Sequence, residues 1–293
     1  MPEYPDLQTY IDALQPRLLG LPIVAVQATD AFILRTFEPP LTALLSRSPL
    51  EIRRLGKRIA IGCSDDLWLV VHLMVLGRWH WRDGSGTKLP KTALFWLRND
   101  RGLLWLSESG HKRRASIHLV HGEAALTAHQ RGGLEVMQAT LAQFQSALFG
   151  QRRTLKRALC DPTILAAIGN AYSDEILHRA RMSPLQLTTN LDPGQIAELF
   201  EATRETLTLW HQRLSAELNG GFPEHVTAFR SDMAVHGRFK LPCPDCGSPV
   251  QRIVYAENEC NYCARCQTGG RLLADRALSQ LLKDSWPRTL PDP

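Results

Sequence analysis

The chain begins Met1-Pro2-Glu3-Tyr4-Pro5-Asp6, and removal of Met1 would expose the secondary amine of a proline. Such an amine is a nucleophile: it can attack a sugar C1′ and form an iminium, as a lysine does with carbonyl substrates. An α-amino group titrates at about 7.7–8.0, so a neutral fraction exists near neutral pH without special burial. Glu3 and Asp6 place two carboxylates beside that centre as proton-transfer partners. If Met1 stays, the Pro2 nitrogen is an amide and cannot attack. The plain alternative is a stiff, proline-rich start without chemistry, and Asp6 would serve equally well as N-cap of the first helix.

A second constellation lies near the other end. Cys243-Pro-Asp-Cys246 and Cys263-Ala-Arg-Cys266 are separated by 16 residues. Two C-x-x-C knuckles at this spacing suit one structural, tetrahedral Zn2+ held by Cys243, Cys246, Cys263 and Cys266. Four thiolates leave no open position for water, which argues against a catalytic metal. Cys260 would break the paired geometry and is not expected as a ligand. An odd total of 7 cysteines and no leader-like start argue against a disulfide framework.

At 293 residues the chain can hold two domains of ordinary size. No apolar run approaches the ~20 residues that span a bilayer, so a cytoplasmic protein without membrane contact is expected. The net charge is only +5. Its clustering says more: 53–58, 112–114 and 152–157 are each rich in Lys and Arg. Such runs are commonly solvated faces, but three of them beside a metal ribbon make nucleic acid the leading partner class.

The elements that must position these groups follow from periodicity. Leu7, Tyr10, Ile11, Leu14 and Leu18 form one stripe of a helix over 6–19. Up to about residue 125 the pattern is of short strands, among them Arg58–Cys63, Leu67–Leu73, Leu76–Arg82, Ala93–Arg98, Gly102–Ser107 and Ser116–Val120. Trp68, Trp79, Trp81, Trp96 and Trp105 read as core or sheet-face residues. Helices are expected at Leu134–Phe149, Thr154–Cys160, Pro162–Ala167, Ala171–Ala180 and Pro193–Leu218, with Ile168-Gly169-Asn170 a turn. The cysteine ribbon and a last helix over Leu272–Lys283 follow. The fold class is α+β: a β-sandwich with a packed helix over 1–130, a helical domain over 131–235, and a zinc-ribbon finger with a tail over 236–293.

Four stretches in this order resemble the formamidopyrimidine-DNA glycosylase/endonuclease VIII family of base-excision repair enzymes. They are Met1-Pro2-Glu3-x-Pro5-Asp6; Gly56-Lys57-Arg58; Leu155-Lys156 through Asp161 with Ile168-Gly169-Asn170-x-Tyr172-x-x-Glu175; and Val235-His236-Gly237-Arg238 leading into Cys243. The resemblance implies a helix–two-turns–helix DNA-binding module over about 154–185, with DNA lying between the two halves. It implies that Pro2 attacks C1′ of a flipped-out damaged nucleotide, that Glu3 handles protons, and that Lys57 and Asn170 grip flanking phosphates. A base inside a duplex is unreachable, so extrusion is a physical requirement of that chemistry. Lys57 near Pro2 would also lower the amine pKa by like-charge repulsion. On residues alone, Asn170 is equally a turn former and Lys57 part of a basic loop.

The chain also departs from the family pattern. Many members carry an arginine at the tip of the zinc hairpin, where this chain has Asn258. The Met or Leu that fills the hole left by the extruded base falls, counting from His72, on Val75, with Met74 adjoining. The arginine–phenylalanine pair that reads the opposite strand finds Arg113 or Arg114 and no aromatic wedge. The stretch from Gly220 to Arg238 is short, which leans away from 8-oxoguanine and toward oxidised pyrimidines such as 5-hydroxyuracil. The expectation is a monomeric, nucleoid-associated glycosylase with abasic-site lyase activity, acting on damaged double-stranded DNA and cleaving by β- and δ-elimination. A non-catalytic binder of abasic sites with the same fold is the alternative, and an RNA-binding ribbon protein a remote third.

Overall fold

The computed structural model describes residues 1–290 except Ser85, Thr87, His111, His225, Ala228, Phe229, Ala256, Glu257, 275–279 and Trp286; for Tyr255, Asn258 and Asp284 only the backbone is described. The chain divides into two compact units, one of Met1–Arg131 with Trp210–Thr227, the other of Gly132–Leu209 with Ala228–Pro293.

The first unit begins with helix α1 (Tyr4–Leu18), whose stripe Leu7, Tyr10, Ile11, Leu14 and Leu18 is buried as its spacing requires. Strands β1 (Ala25–Ala28), β2 (Pro49–Leu55), β3 (Arg58–Cys63), β4 (Leu67–His72), β5 (Gly77–Asp83), β6 (Phe95–Arg98), β7 (Gly102–Glu108) and β8 (Ser116–His121) follow. They form two four-stranded sheets, ordered β1-β6-β7-β5 and β2-β3-β4-β8, and every pairing is antiparallel. One core joins the inner faces, with Ile59, Ile61, Leu69, Val71 and Ile117 from one sheet and Trp79, Phe95, Leu97, Leu104 and Leu106 from the other, capped by α1. This is the expected sandwich with a packed helix. Trp68, Trp79, Trp81 and Trp105 are all buried in it. Residues of 210–227 return to hold α1. Phe222 lies 5.9 Å from Tyr10 between ring centroids, and His211 Nε2 meets Asp12 Oδ2 at 2.7 Å.

Two turns of this unit are tightly constrained. β2 and β3 are joined by Gly56-Lys57, and Gly56 at φ +56 supplies the left-handed conformation that opens the turn. Between β4 and β5 the chain folds so tightly that a Cβ on Gly77 would sit 2.3 Å from the Leu73 carbonyl oxygen.

The second unit holds helices α3 (Leu141–Phe149), α4 (Leu155–Cys160), α5 (Asn170–Arg179) and most of α6 (Pro193–Leu218), then the hairpin of β9 (Gln251–Tyr255) and β10 (Asn258–Tyr262), and α7 (Ala264–Thr268). A short α2 (Glu123–Thr127) precedes them, in the first unit. Two expectations need correction. The helix expected from Leu134 starts at Leu141, because Thr140 and Gln143 form a capping box there. The helix expected at Pro162–Ala167 is absent. Asp161 Oδ1 takes the Thr163 N–H at 2.9 Å and the Asp161 carbonyl closes a single turn with the Ile164 and Leu165 N–H groups, after which the Ile164 carbonyl and the Ala166 N–H bond to the Leu134 backbone rather than extend a helix. Strands β1 and β2 fall within the strand-patterned stretch; on β2 the adjacent Arg53 and Arg54 are both half-exposed. Of the helix expected over Leu272–Lys283, 275–279 lie outside the described residues, 272–274 are not helical and 280–282 are; Leu272, Leu273 and Leu290 pack on the ribbon beside Ile253 and Tyr262. Among the described residues no helix is long and apolar enough to cross a membrane.

Gly77→Ala is expected to destabilise the sandwich by about 1–3 kcal/mol through backbone overpacking. Urea unfolding followed by Trp fluorescence, reported mainly from Trp68, Trp79, Trp81 and Trp105, measures it.

Candidate active site and nucleic-acid interface

The chain start is enclosed. Pro2, Glu3, Pro5 and Asp6 are buried, with Glu3 only 3 % and Asp6 2 % exposed. Asp6 accepts the Glu3 backbone N–H at 2.9 Å. Glu3, not Asp6, is the N-cap of α1; Asp6 is the third helical residue reaching back, so it supports the start of the chain from inside the helix. Tyr4 lies under Arg54, whose guanidinium is 4.7 Å from the ring centroid, and Arg54 Nη1 donates to the Gly56 carbonyl at 3.0 Å. The residue that opens α1 and the turn that bears Lys57 therefore share one arginine.

The terminal amine in this structure is that of Met1, one residue before the Pro2 nitrogen. Its pKa is lowered, by burial first, with Arg78 and Lys57 adding to the shift and Glu3 and Asp6 opposing it. Burial is the largest cause of this shift and Lys57 the smallest of those named. Asp6 is pushed up to about 7, again by burial first, with the neighbouring Glu3 charge adding to it and the Glu3 N–H opposing. A carboxyl poised near neutrality beside an amine of lowered pKa can exchange a proton with it at little cost.

Arg78 is a site residue that sequence reading missed. It acts on the terminal amine, Asp6 and Tyr10 alike, and its Nη1 donates to the carbonyls of Val75 (3.0 Å) and Gly77 (2.6 Å). It braces the turn that presents Val75, 54 % exposed, and Leu76, 40 % exposed. Only strand alternation marks it in the sequence, and alternation cannot tell which end of β5 meets α1.

Arg113 and Arg114 stand on the loop between β7 and β8. Arg113 is tied to Asp30 at 3.0 Å. The Arg114 and Ala115 N–H groups are held by the Glu108 carboxylate at 2.9–3.0 Å, which fixes the backbone and leaves the Arg114 residue exposed.

In the second unit, Asn170 is the first residue of α5 and half-buried. The turn before it is pinned from beneath. Lys156 Nζ donates to the Asn170 carbonyl (2.6 Å), Ser173 Oγ (2.7 Å) and Asp174 Oδ1 (2.6 Å). Asp174 Oδ2 accepts from His236 Nδ1 at 2.8 Å and from the Asn261 N–H of β10 at 3.1 Å. The adjacent Glu175 carboxylate takes the N–H groups of Ala234, Val235 and His236 at 2.8–3.0 Å. The Lys156–Asp174 pair is fully buried. Burial opposes both charges, yet each partner holds the other ionised, Lys156 above and Asp174 below its ordinary value.

The ribbon is anchored to the same helix. The Sγ atoms of Cys243, Cys246, Cys263 and Cys266 lie within 4.8 Å of one another, with Cys246–Cys263 at 3.4 Å and Cys243–Cys266 at 3.9 Å. A tetrahedral thiolate site with metal–sulfur bonds near 2.3 Å sets sulfur atoms about 3.8 Å apart, so these residues fit a Zn2+ ion. His178 Nε2 is 3.3 Å from Cys243 Sγ, the kind of outer partner that orients a ligating thiolate. Cys260 is buried and not one of the four. Asn258 opens β10 opposite Tyr255; its side chain lies outside the described residues. Arg252 is on β9, stacked 4.3 Å over Phe239 and paired with Glu259 at 3.4 Å.

Residues 1–115 match the formamidopyrimidine-DNA glycosylase N-terminal domain family, and residues 134–211 the formamidopyrimidine-DNA glycosylase H2TH domain family. The chain is 31 % identical to the formamidopyrimidine-DNA glycosylase of Thermus thermophilus over 287 residues, covering 92 % of this chain and 100 % of that one. It is 36 % identical to a formamidopyrimidine-DNA glycosylase-like protein of Mycobacterium tuberculosis over 151 residues, 52 % of this chain and 94 % of that one. Its fold is similar to the crystal structure of the Lactococcus lactis Fpg protein with abasic-site DNA, at a TM-score of 0.79 and 22 % identity, covering 91 % of this chain and 99 % of that one.

Lys156→Met should cost about 3–5 kcal/mol by stranding a buried carboxylate, with partial recovery on adding Asp174→Asn; thermal unfolding by circular dichroism reads both. Because the Asp6 carboxyl is raised, the native state holds a proton that the unfolded chain has released between pH 3.8 and about 7. Its contribution is present at low pH and is lost as pH rises through 7. Asp6→Asn is expected to flatten the fall in stability across that window, measured by urea unfolding at stepped pH.

Proposed function

The chain belongs to the formamidopyrimidine-DNA glycosylase/endonuclease VIII family of DNA glycosylases, and from that premise we propose that it excises oxidised bases through Pro2 and then cleaves the strand. The observation that carries this reading is the chain start, where Pro2 is buried together with the Glu3 and Asp6 carboxylates. With Met1 removed, the Pro2 nitrogen attacks C1′ of an extruded nucleotide and the glycosidic bond breaks, the base leaving with a proton. Glu3 delivers a proton to the sugar ring oxygen, which opens the ring to an iminium. It then takes up protons in the β- and δ-eliminations that release the strand ends. Asp6, poised near pH 7, returns protons to Glu3 or the amine.

Lys57 and Asn170 hold the phosphates beside the lesion. The Asn170 N–H groups and side chain stand at the N-terminus of α5, where aligned backbone donors favour an anion, and the Lys156–Asp174 pair keeps that turn in place. Val75 enters the stack at the vacated position and Arg114 faces the opposite strand, with Arg113 beside it. One structural Zn2+ on the four cysteines holds the β9–β10 hairpin, on which Asn258 contacts the backbone. The short stretch from Gly220 to Arg238 supports oxidised pyrimidines over 8-oxoguanine. The protein acts as a cytoplasmic monomer on damaged duplex DNA.

The small Val75, with Ala115 after Arg114, also favours a second reading, a binder of abasic sites that performs no chemistry. One experiment separates the two. Borohydride reduction on 5-hydroxyuracil duplex should trap a covalent adduct with wild-type protein and lose it when the terminus is blocked or Pro2 is replaced. Glu3→Gln should slow excision about 10²- to 10⁴-fold while binding to an abasic analogue persists. No adduct with wild type, alongside tight abasic-site binding, would establish the second reading.

A further inference from the structure

One end of the outer face of the β2-β3-β4-β8 sheet gathers imidazole and guanidinium groups that the excision chemistry leaves unused. The register Ile59↔Val71 sets Arg58 across from His72, and Val70↔His118 sets His118 on the same face as His72. The rest of that face is apolar: Ala60, Trp68 and Val70 lie with Leu126 of α2. After α2 the chain folds back, bringing the His129 ring to 4.5 Å from that of His118 between centroids. Arg58 Nη1 fixes this return by donating to the His129 carbonyl at 2.9 Å. Arg131, two residues on, is exposed.

The charged groups acting on these rings are cations: Arg58, Lys57 and Arg131 on His72, and Arg58 and Arg35 on His118. Burial first pushes both imidazoles down to about 4, followed by Arg58 for His72 and by the neighbouring His129 and then Arg58 for His118, so at pH 7 the rings are neutral hydrogen-bonding groups set among guanidinium charges. The acidic residue of α2, Glu123, is engaged by Arg53. The patch is a half-exposed strip rather than a closed pocket. It runs on from Lys57 at one turn and from His72 into the turn that bears Val75.

We propose that Arg58, His118, His129 and Arg131 form a further phosphate-binding strip that takes the DNA backbone beyond the phosphate held by Lys57. The proposal rests on the glycosylase reading for its ligand. A backbone phosphate offers acceptor oxygens and charge, which a guanidinium and two neutral imidazole N–H groups match. The strip carries no sequence readout, so it lengthens the footprint without altering lesion choice.

The test is binding of duplexes carrying a tetrahydrofuran abasic analogue, measured by fluorescence anisotropy over a series of salt concentrations. One duplex is long and one is cut back to a few base pairs around the lesion. His129→Gln with Arg131→Gln changes partly or fully exposed residues, and His118→Ala with Arg58→Gln removes the inner half. On the long duplex each pair is expected to flatten the slope of log K against log salt by about 0.9 for every phosphate no longer neutralised. A fourfold rise in salt then costs about threefold less affinity for each such phosphate. On the short duplex the variants should match wild type. An unchanged slope on the long duplex, or an equal deficit on both, overturns the proposal. Borohydride trapping by wild-type protein reports the glycosylase reading separately, so failure of one is not mistaken for failure of the other.

Discussion

A chain terminus is ordinarily the most frayed part of a fold, and the site near Pro2 depends on the opposite being true here. α1 begins at Tyr4 and is driven against the sandwich by five apolar side chains, and Pro2 and Glu3 just before it are buried. Burial then does the electrostatic work. It lowers the amine pKa and raises that of Asp6 by the same mechanism, since each charged form loses water. The amine and the carboxyl shift in opposite directions through one packing decision.

The second unit meets a different requirement, the placement of a turn and a metal ribbon with respect to one helix. α5 does this with two consecutive carboxylates. Asp174 faces Lys156, His236 and Asn261, and Glu175 caps three successive N–H groups at 234–236. A buried ion pair contributes little net stability on average, but removing either partner is costly, and that asymmetry makes such a pair a good fixture. It holds the Asn170 carbonyl in place while leaving the outer side of the turn half-exposed. His178, one turn further along α5, reaches the ribbon sulfur, so the same helix meets both elements.

The cations divide by the company they keep. Arg113, Arg153, Arg179 and Arg252 have carboxylate partners; these are settled surface pairs. Arg78 and Arg54 are spent on turn carbonyls, as positioners. Arg58 and Arg131 lie instead among imidazoles. The clusters at 53–58 and 112–114 looked alike in the sequence, yet the structure gives their members different tasks.

Much was legible in the residues themselves. The Pro2-Glu3 start, the knuckle spacing of the four cysteines and the 3.6-residue stripe of α1 are local patterns, and local patterns survive folding. The sandwich followed from alternation, and α6 from its proline start at Pro193 and its Gly-Gly end. What the sequence could not determine is non-local. Pro162–Ala167 carries helix-compatible residues but closes only one turn on the Asp161 carbonyl before it bonds to the Leu134 backbone. Arg78 belongs to the chain start only because β5 begins near α1, and His118 meets His129 only because α2 folds the chain back. Residue types and spacing decided which chemistry was available. The tertiary structure decided which groups lose their water and which charges face one another, because burial and Coulomb energies depend on distances that spacing along the chain does not set.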